Sequence, residues 1–236
     1  MKVINIFLRW LLALCIFLIL LSGTIGVAFN TLWIYTFGFA KYDVAAELGI
    51  SEPELKYTAR ELIAYFNNTH QEYFDISVAY EDGYVGSLYS QAEKEHMKDV
   101  KGLLWLDYYI CLAATAYVIL YMVCLWIWSR QGVIAEVALG VWRGGLLALG
   151  ILSVIGLIAV ASFDMFFVKF HEIFFPQGNW SFSHDNHMVM MFPDGFWSDV
   201  ALLVWLTGMA LGALVAGIGW LVLSYTHRRE CAKELI

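Results

Sequence analysis

Charge is what this chain has least of. Lys, Arg, Asp and Glu make up 15% of its 236 residues, where a soluble domain carries about a quarter. Hydrophobic residues make up 61%, and mean hydropathy is +0.67. A membrane protein is therefore the first expectation. Basic charge is scarcer still: 14 Lys and Arg face 21 Asp and Glu, for a net charge of −7. That balance argues against nucleic acid as a partner. The four cysteines, Cys15, Cys111, Cys124 and Cys231, form no CxxC pair, so they point to neither a disulfide framework nor a metal site. The chain also lacks a Gly-x-Ser-x-Gly elbow, a Walker A loop and a His-Glu-x-x-His helix. An enzyme built this way is expected to work without a covalent intermediate, a nucleotide, a metal or any other cofactor. Histidines acting as general acid and base suit that chemistry.

What is present in abundance is apolar length. Runs at about 5–29, 103–128, 144–168 and 200–225 each reach the roughly 20 helical residues that span a bilayer core. The first run continues past the weak small-residue site Ser22-Gly23-Thr24. We therefore expect an uncleaved helix rather than a signal peptide. Four spans put both termini on one side. That side carries Lys2, Arg9, Arg130, Arg143, Arg228, Arg229 and Lys233 in three short pieces, offset by Glu136, Glu230 and Glu234. The other side spreads as many basic residues over two longer segments with sixteen acids; Asp107 and Asp164 fall inside spans. The density of basic charge predicts cytoplasmic termini.

The expected class is mainly α: a polytopic membrane protein, a four-transmembrane-helix bundle with a small extracytoplasmic α(+β) cap domain between helices 1 and 2. The expected parts, in chain order, are a cytoplasmic N-terminus with the first helix at 1–37 and an extracytoplasmic domain at 38–102. The second helix follows at 103–128, a cytoplasmic loop at 129–143 and the third helix at 144–168. An extracytoplasmic loop at 169–199, the fourth helix at 200–225 and a cytoplasmic tail at 226–236 complete the chain.

Within 38–102, Ser51-Glu52-Pro53-Glu54 reads as a capping box with Pro in the first turn. It predicts a helix to about Phe66 with Leu55, Ala59, Leu62, Ile63 and Phe66 on one face. Tyr73 to Leu88 reads as a hairpin turning at Glu81-Asp82-Gly83. Ser90-Gln91-Ala92-Glu93 is a second capping box, opening a helix that continues into the second span.

Two histidines stand out. His96 and Asp99 lie three apart in the first turns of that long helix and share a face. Asp99 could there orient the imidazole and stabilise its cation; a solvated, charge-dotted helix end is the plainer alternative. His171 lies at the outer end of the third span, seven residues after Asp164 on the same side. An ionisable residue within a span suggests a functional site, against the alternative of an interfacial histidine and a structurally paired Asp164. The surrounding Phe and Trp residues, Trp180 among them, read first as an interfacial aromatic belt. His184-Asp185-Asn186-His187 looks like a ligand cluster, but its loop is too short for convergence on zinc.

The blocks Glu95-His96-Met97-Lys98-Asp99-Val100-Lys101, Phe170-His171-Glu172-Ile173-Phe174-Phe175-Pro176-Gln177-Gly178-Asn179-Trp180 and Phe192-Pro193 to Phe196-Trp197 resemble those of a bacterial family. Its members are four-helix membrane proteins and include the lipoprotein intramolecular transacylases. The resemblance implies an enzyme of the bacterial cytoplasmic membrane with its active site at the extracytoplasmic face, among membrane lipid. The implied substrate is a diacylglyceryl-modified lipoprotein. Its sn-2 acyl chain would move from the glycerol oxygen to the lipoprotein's own N-terminal α-amine, leaving the lyso form. His96 and His171 would be catalytic. Asp99, Asp164, Gly178, Asn179 and Trp180 would support the site or bind substrate, with Asn179 and the amides around Gly178 as candidates for the oxyanion. A lipid-ester hydrolase, and a non-catalytic accessory or sensor protein, are the competing expectations.

Overall fold

The computed structural model describes the backbone of residues 2–128 and 132–234, and side chains of 6–128 and 132–229. Part of the expected loop at 129–143, and the side chains of Lys2, Glu230, Cys231, Lys233 and Glu234, lie outside the described residues. Helices α1 (Lys2–Asn30), α5 (Gln91–Trp128), α6 (Val133–Ala161) and α9 (Asp194–Glu234) are long and apolar enough to cross a membrane.

The chain forms two compact units. The first takes in 1–25, 107–157 and 204–236, whose described residues fall almost wholly in those four helices. Its packing depends on small residues. A Cβ at Gly145 would lie 2.5 Å from the Ala216 backbone nitrogen, and one at Gly219 2.5 Å from that of Trp142. The α6 and α9 backbones thus touch, the kind of close approach that holds helices together where lipid removes the hydrophobic drive. Trp205 fills the space over Gly156 and donates its indole N–H to the Leu152 carbonyl at 2.8 Å.

The third long helix differs from the expected 144–168. It starts at Val133 and stops at Ala161. The charges that suggested a loop before 144 have partners on α1: Arg9 pairs with Glu136, and Arg143 lies 5.0 Å over the Trp10 ring. At the other end, Ser162 is extended (φ −160°, ψ 94°) and a separate helix, α7 (Phe163–Phe174), begins.

The second unit takes in 26–106 and 158–203, so it draws on more of the chain than the expected 38–102. It contains α2 (Leu32–Lys41), α3 (Val44–Leu48), α4 (Glu52–Asn67), β1 (Ser77–Ala79), β2 (Val85–Ser87), the start of α5, α7, α8 (His187–Met191) and the start of α9. Helix α4 buries Leu55, Ala59, Leu62 and Phe66. Phe74, Ile76 and Val78 are buried while Asp75, Ser77 and Ala79 face out, the period-2 pattern of a half-buried strand. β1 and β2 pair antiparallel, with Val78 opposite Gly86, around a turn in which Gly83 takes φ +88°.

The two capping boxes behave differently. Ser51 makes no side-chain cap, and Glu54 instead accepts a hydrogen bond from the Ala79 amide at 3.3 Å. The second box closes as expected. Glu93 Oε2 accepts from both the Ser90 amide and its hydroxyl at 2.7 Å, and the Glu93 amide donates back to Ser90 Oγ at 3.4 Å. The other oxygen of Glu93 accepts from the Met188 amide at 2.8 Å, so this buried carboxylate ties α5 to α8.

Candidate active site

Helix α5 runs for 38 residues, about 57 Å at 1.5 Å per residue, and its apolar part is 103–128. The three turns before it, 91–102, carry six charged residues and lie outside that part. His96 is in their middle, 6% exposed; Glu93, fixed by its cap, lies three residues before it on the same side. α7 carries His171 in its last turn, 9% exposed.

The two imidazoles meet. Their ring centroids are 6.0 Å apart and their planes 29° from parallel. Phe175 packs against both, at 5.0 Å from His96 and 5.5 Å from His171. Phe182 covers His96 at 5.8 Å, Trp180 lies 5.0 Å from His171, and Phe167 lies 4.1 Å from it. These rings wall the histidine pair and hold water away from it.

That wall sets the electrostatics. Burial disfavours the imidazolium, so it pulls His171 below the ordinary imidazole range, against an opposing hydrogen bond to the Phe167 carbonyl. His96 is pulled down to about 4, first by burial, then by the neighbouring His171, with Asp99 opposing. Both shifts favour the neutral ring.

A neutral imidazole has one donor and one acceptor nitrogen. His171 Nδ1 lies 2.8 Å from the Phe167 carbonyl oxygen. A carbonyl only accepts, so Nδ1 carries the hydrogen and Nε2 keeps its lone pair. His96 Nδ1 is buried with no partner. The pair therefore offers one nitrogen with a lone pair and one unspent nitrogen.

Asp99, expected to orient His96, is engaged elsewhere. Its Oδ2 accepts from Gln177 Nε2 at 2.8 Å and Asn179 Nδ2 at 2.6 Å. It thereby fastens the segment after α7 to α5, one turn beyond His96. In that segment the Gly178 amide donates to the Phe175 carbonyl at 3.0 Å, closing a turn with Pro176 at its second position and φ +78° at Gly178. The Gly178 amide and the Asn179 side-chain donor, both candidates for the oxyanion, are thus already committed. Trp180 is placed against His171. Asp164 lies beyond the end of α6, exposed in the first turn of α7 and about 10 Å along the axis from His171.

Three contributors were not singled out from sequence as site residues. Glu93 was visible only as a cap. Gln177 had no signal beyond its turn. Lys101 sits in the motif but was given no task; the residue is buried, and its ammonium donates to the Asn68 and Gln71 carbonyls and lies 4.2 Å over the Tyr65 ring. His187 of the supposed ligand cluster instead binds the Leu88 carbonyl at 2.5 Å through Nδ1. Among the described residues no group of three or more His, Cys, Asp or Glu could hold a metal ion.

Comparison with known proteins gives this arrangement a context. Curated proteins return no match. Among solved structures, the chain is similar to the in meso structure of the membrane integral lipoprotein intramolecular transacylase Lit from Bacillus cereus. The TM-score is 0.77 at 16% identity, over 97% of this chain and 100% of that one. Two variants of the same Bacillus cereus protein, with one histidine replaced by arginine or by alanine, match with TM-scores of 0.71 and 0.70 at 16% and 15% identity. They cover 97% and 96% of this chain, and 96% and 97% of theirs. At such identities the likeness establishes the fold. The family's own sequence pattern, that of the lipoprotein intramolecular transacylase Lit, matches residues 10–197. With four apolar helices and most of its length matched, this multi-pass membrane protein belongs to the lipoprotein intramolecular transacylase Lit family.

Proposed function

We propose that the chain transfers the sn-2 acyl chain of a diacylglyceryl-cysteine lipoprotein to that lipoprotein's own α-amine, with His171 as general base and His96 as hydrogen-bond donor to the developing oxyanion. The observation that carries this reading is the pairing of two buried imidazoles, one with its Nδ1 turned to a carbonyl oxygen and the other with an unpartnered Nδ1.

The α-amine attacks the ester carbonyl. As the C–N bond forms, His171 Nε2 takes the amine's proton. As the glycerol C–O bond breaks, the same proton passes to the leaving oxygen. Atoms and charge balance: amine and ester give amide and alcohol, and no external energy source is required. His96 in its Nδ1–H form donates to the carbonyl oxygen while that oxygen carries negative charge. Nucleophile and electrophile belong to one molecule, so positioning alone can supply on the order of 7 kcal/mol of the barrier.

The aromatic wall disfavours hydrolysis, because water is excluded from the acyl carbon's surroundings. The basic-residue pattern supports cytoplasmic-membrane residence with the histidine pair at the extracytoplasmic face, within reach of lipoprotein acyl chains in the outer leaflet.

Replacing His96 or His171 by Gln should each lower N-acylation by roughly 10² to 10⁴-fold. The measurement is mass spectrometry of a lipoprotein N-terminal peptide, in a host lacking other lipoprotein N-acylation. Full activity in both variants rejects the site. Acyl loss without N-acylation in the unmodified protein would make it a hydrolase.

A further inference from the structure

We infer that Asn179 recognises the acceptor α-amine through its side-chain carbonyl oxygen, with Asp99 as the positioning residue that fixes which way the amide points. The inference rests on the acyl-transfer reading above and names the group that binds its nucleophile.

The argument begins with an atom that has nothing to do. Asn179 Oδ1 is buried and has no hydrogen-bond partner. Leaving a buried acceptor unpaired is costly, so native proteins keep few of them. A flip of the amide would be the simple remedy, and Asp99 forbids it. The Asn179 nitrogen faces Asp99 Oδ2 at 2.6 Å, an oxygen that also takes the Gln177 amide nitrogen at 2.8 Å. A carboxylate accepts and does not donate. Turning Asn179 over would set oxygen against oxygen. Asp99 therefore holds Oδ1 as an acceptor facing away from itself.

The position suits a substrate contact. Asp99 is one helical turn from His96, and Trp180, next in the chain to Asn179, packs 5.0 Å from the His171 ring. A spare nitrogen of the histidine pair itself, His96 Nδ1, is likewise unpartnered. A site that held only an ester would need donors for its carbonyl. The spare acceptor calls for a donor from the substrate, and among the reacting groups the donor is the α-amine.

The assignment also solves a geometric need. A neutral amine has two N–H bonds and one lone pair. With one N–H on Asn179 Oδ1 and the other on His171 Nε2, the lone pair is left for the ester carbonyl. In the ammonium form the same oxygen binds the charged group, and Asp99 beyond it adds attraction.

The test uses two non-reactive probes: an S-(dialkylglyceryl)cysteinyl peptide in which ethers replace both esters, with a free α-amine, and its N-acetylated counterpart. Binding to the full-length protein in lipid bicelles is measured for the unmodified protein, Asn179→Leu and Asn179→Ala. The unmodified protein should prefer the free amine by about tenfold or more, the worth of one charge-assisted hydrogen bond. Both variants should bind the two probes within about threefold of each other. If Asn179→Leu fails to fold, Asn179→Ala carries the same expectation. A preference that survives in the variants overturns the inference and leaves the acyl-transfer reading intact. Equal loss of both probes in the folded variants marks a structural role and also overturns it. If the unmodified protein binds neither probe, the acyl-transfer reading fails and takes this inference with it.

Discussion

His96 bears a folding cost that acid should expose. Its pKa is pulled from the ordinary value near 6.5 down to about 4 in the folded state, and His171 moves in the same direction. An unfolded chain therefore binds protons that the folded one refuses. Stability is complete above about pH 6.5 and is lost as pH falls toward 4. For His96 the loss amounts to roughly 3 kcal/mol across that window, at 1.36 kcal/mol per pKa unit. The melting temperature in detergent should drop over this range, and His96→Gln should flatten the drop, because glutamine takes up no proton. An unchanged acid profile in the variant would mean that carboxylates elsewhere dominate. His171 stood out in the sequence at the end of an apolar run, and His96, among six charged neighbours, was marked by its spacing from Asp99. The role of Asp99 was not legible. Its spacing from His96 suggested a direct contact, and nothing local revealed that Gln177 and Asn179, about eighty positions away, would claim its carboxylate first.

The two capping boxes show how far a local motif can be trusted for an element. Both have Ser followed three residues later by Glu, yet one closes and the other does not. Glu54 is drawn to the Ala79 amide at the sheet, whereas Glu93 is buried and has the Ser90 groups and the Met188 amide around it. Glu93→Ala removes an N-cap and strands a buried amide, so it should cost roughly 2–4 kcal/mol. It should also loosen His96, three residues along α5. Glu54→Ala removes one long bond at an exposed edge and should cost less than about 1 kcal/mol. Thermal unfolding of the two variants checks the ranking; equal losses would show that Glu93 is no more than a surface cap. The helix boundaries teach a related lesson. No Pro or Gly marks the break at Ser162, so the run reads as continuous to 168 although α6 ends at Ala161 and α7 begins at Phe163. At the start of α6, Glu136 and Arg143 read as loop residues because their partners, Arg9 and Trp10, are more than a hundred positions away.

For the whole molecule, the four long apolar helices were legible because a bilayer imposes length on sequence more strongly than water does. The second unit was less so: it joins 26–106 with 158–203, and pairing between distant segments leaves little periodic trace. We propose from the even number of apolar helices that both termini share one side, and basic residues crowded into short pieces near the termini predict that side to be the cytoplasm. Single cysteines can test this on a background with Cys15, Cys111, Cys124 and Cys231 replaced. Lys56→Cys, on the exposed side of α4, should react with a membrane-impermeant maleimide in intact bacteria. Arg228→Cys, exposed near the end of α9, should react only after permeabilisation. The reverse pattern would turn the protein over and put the histidine pair at the cytoplasmic face, away from lipoproteins anchored in the outer leaflet. Labelling of both positions in intact cells would instead mean an odd number of crossings, and one of the four helices would then not span. The first result is required for the proposed reaction, because acyl chain, α-amine and histidine pair must share one leaflet.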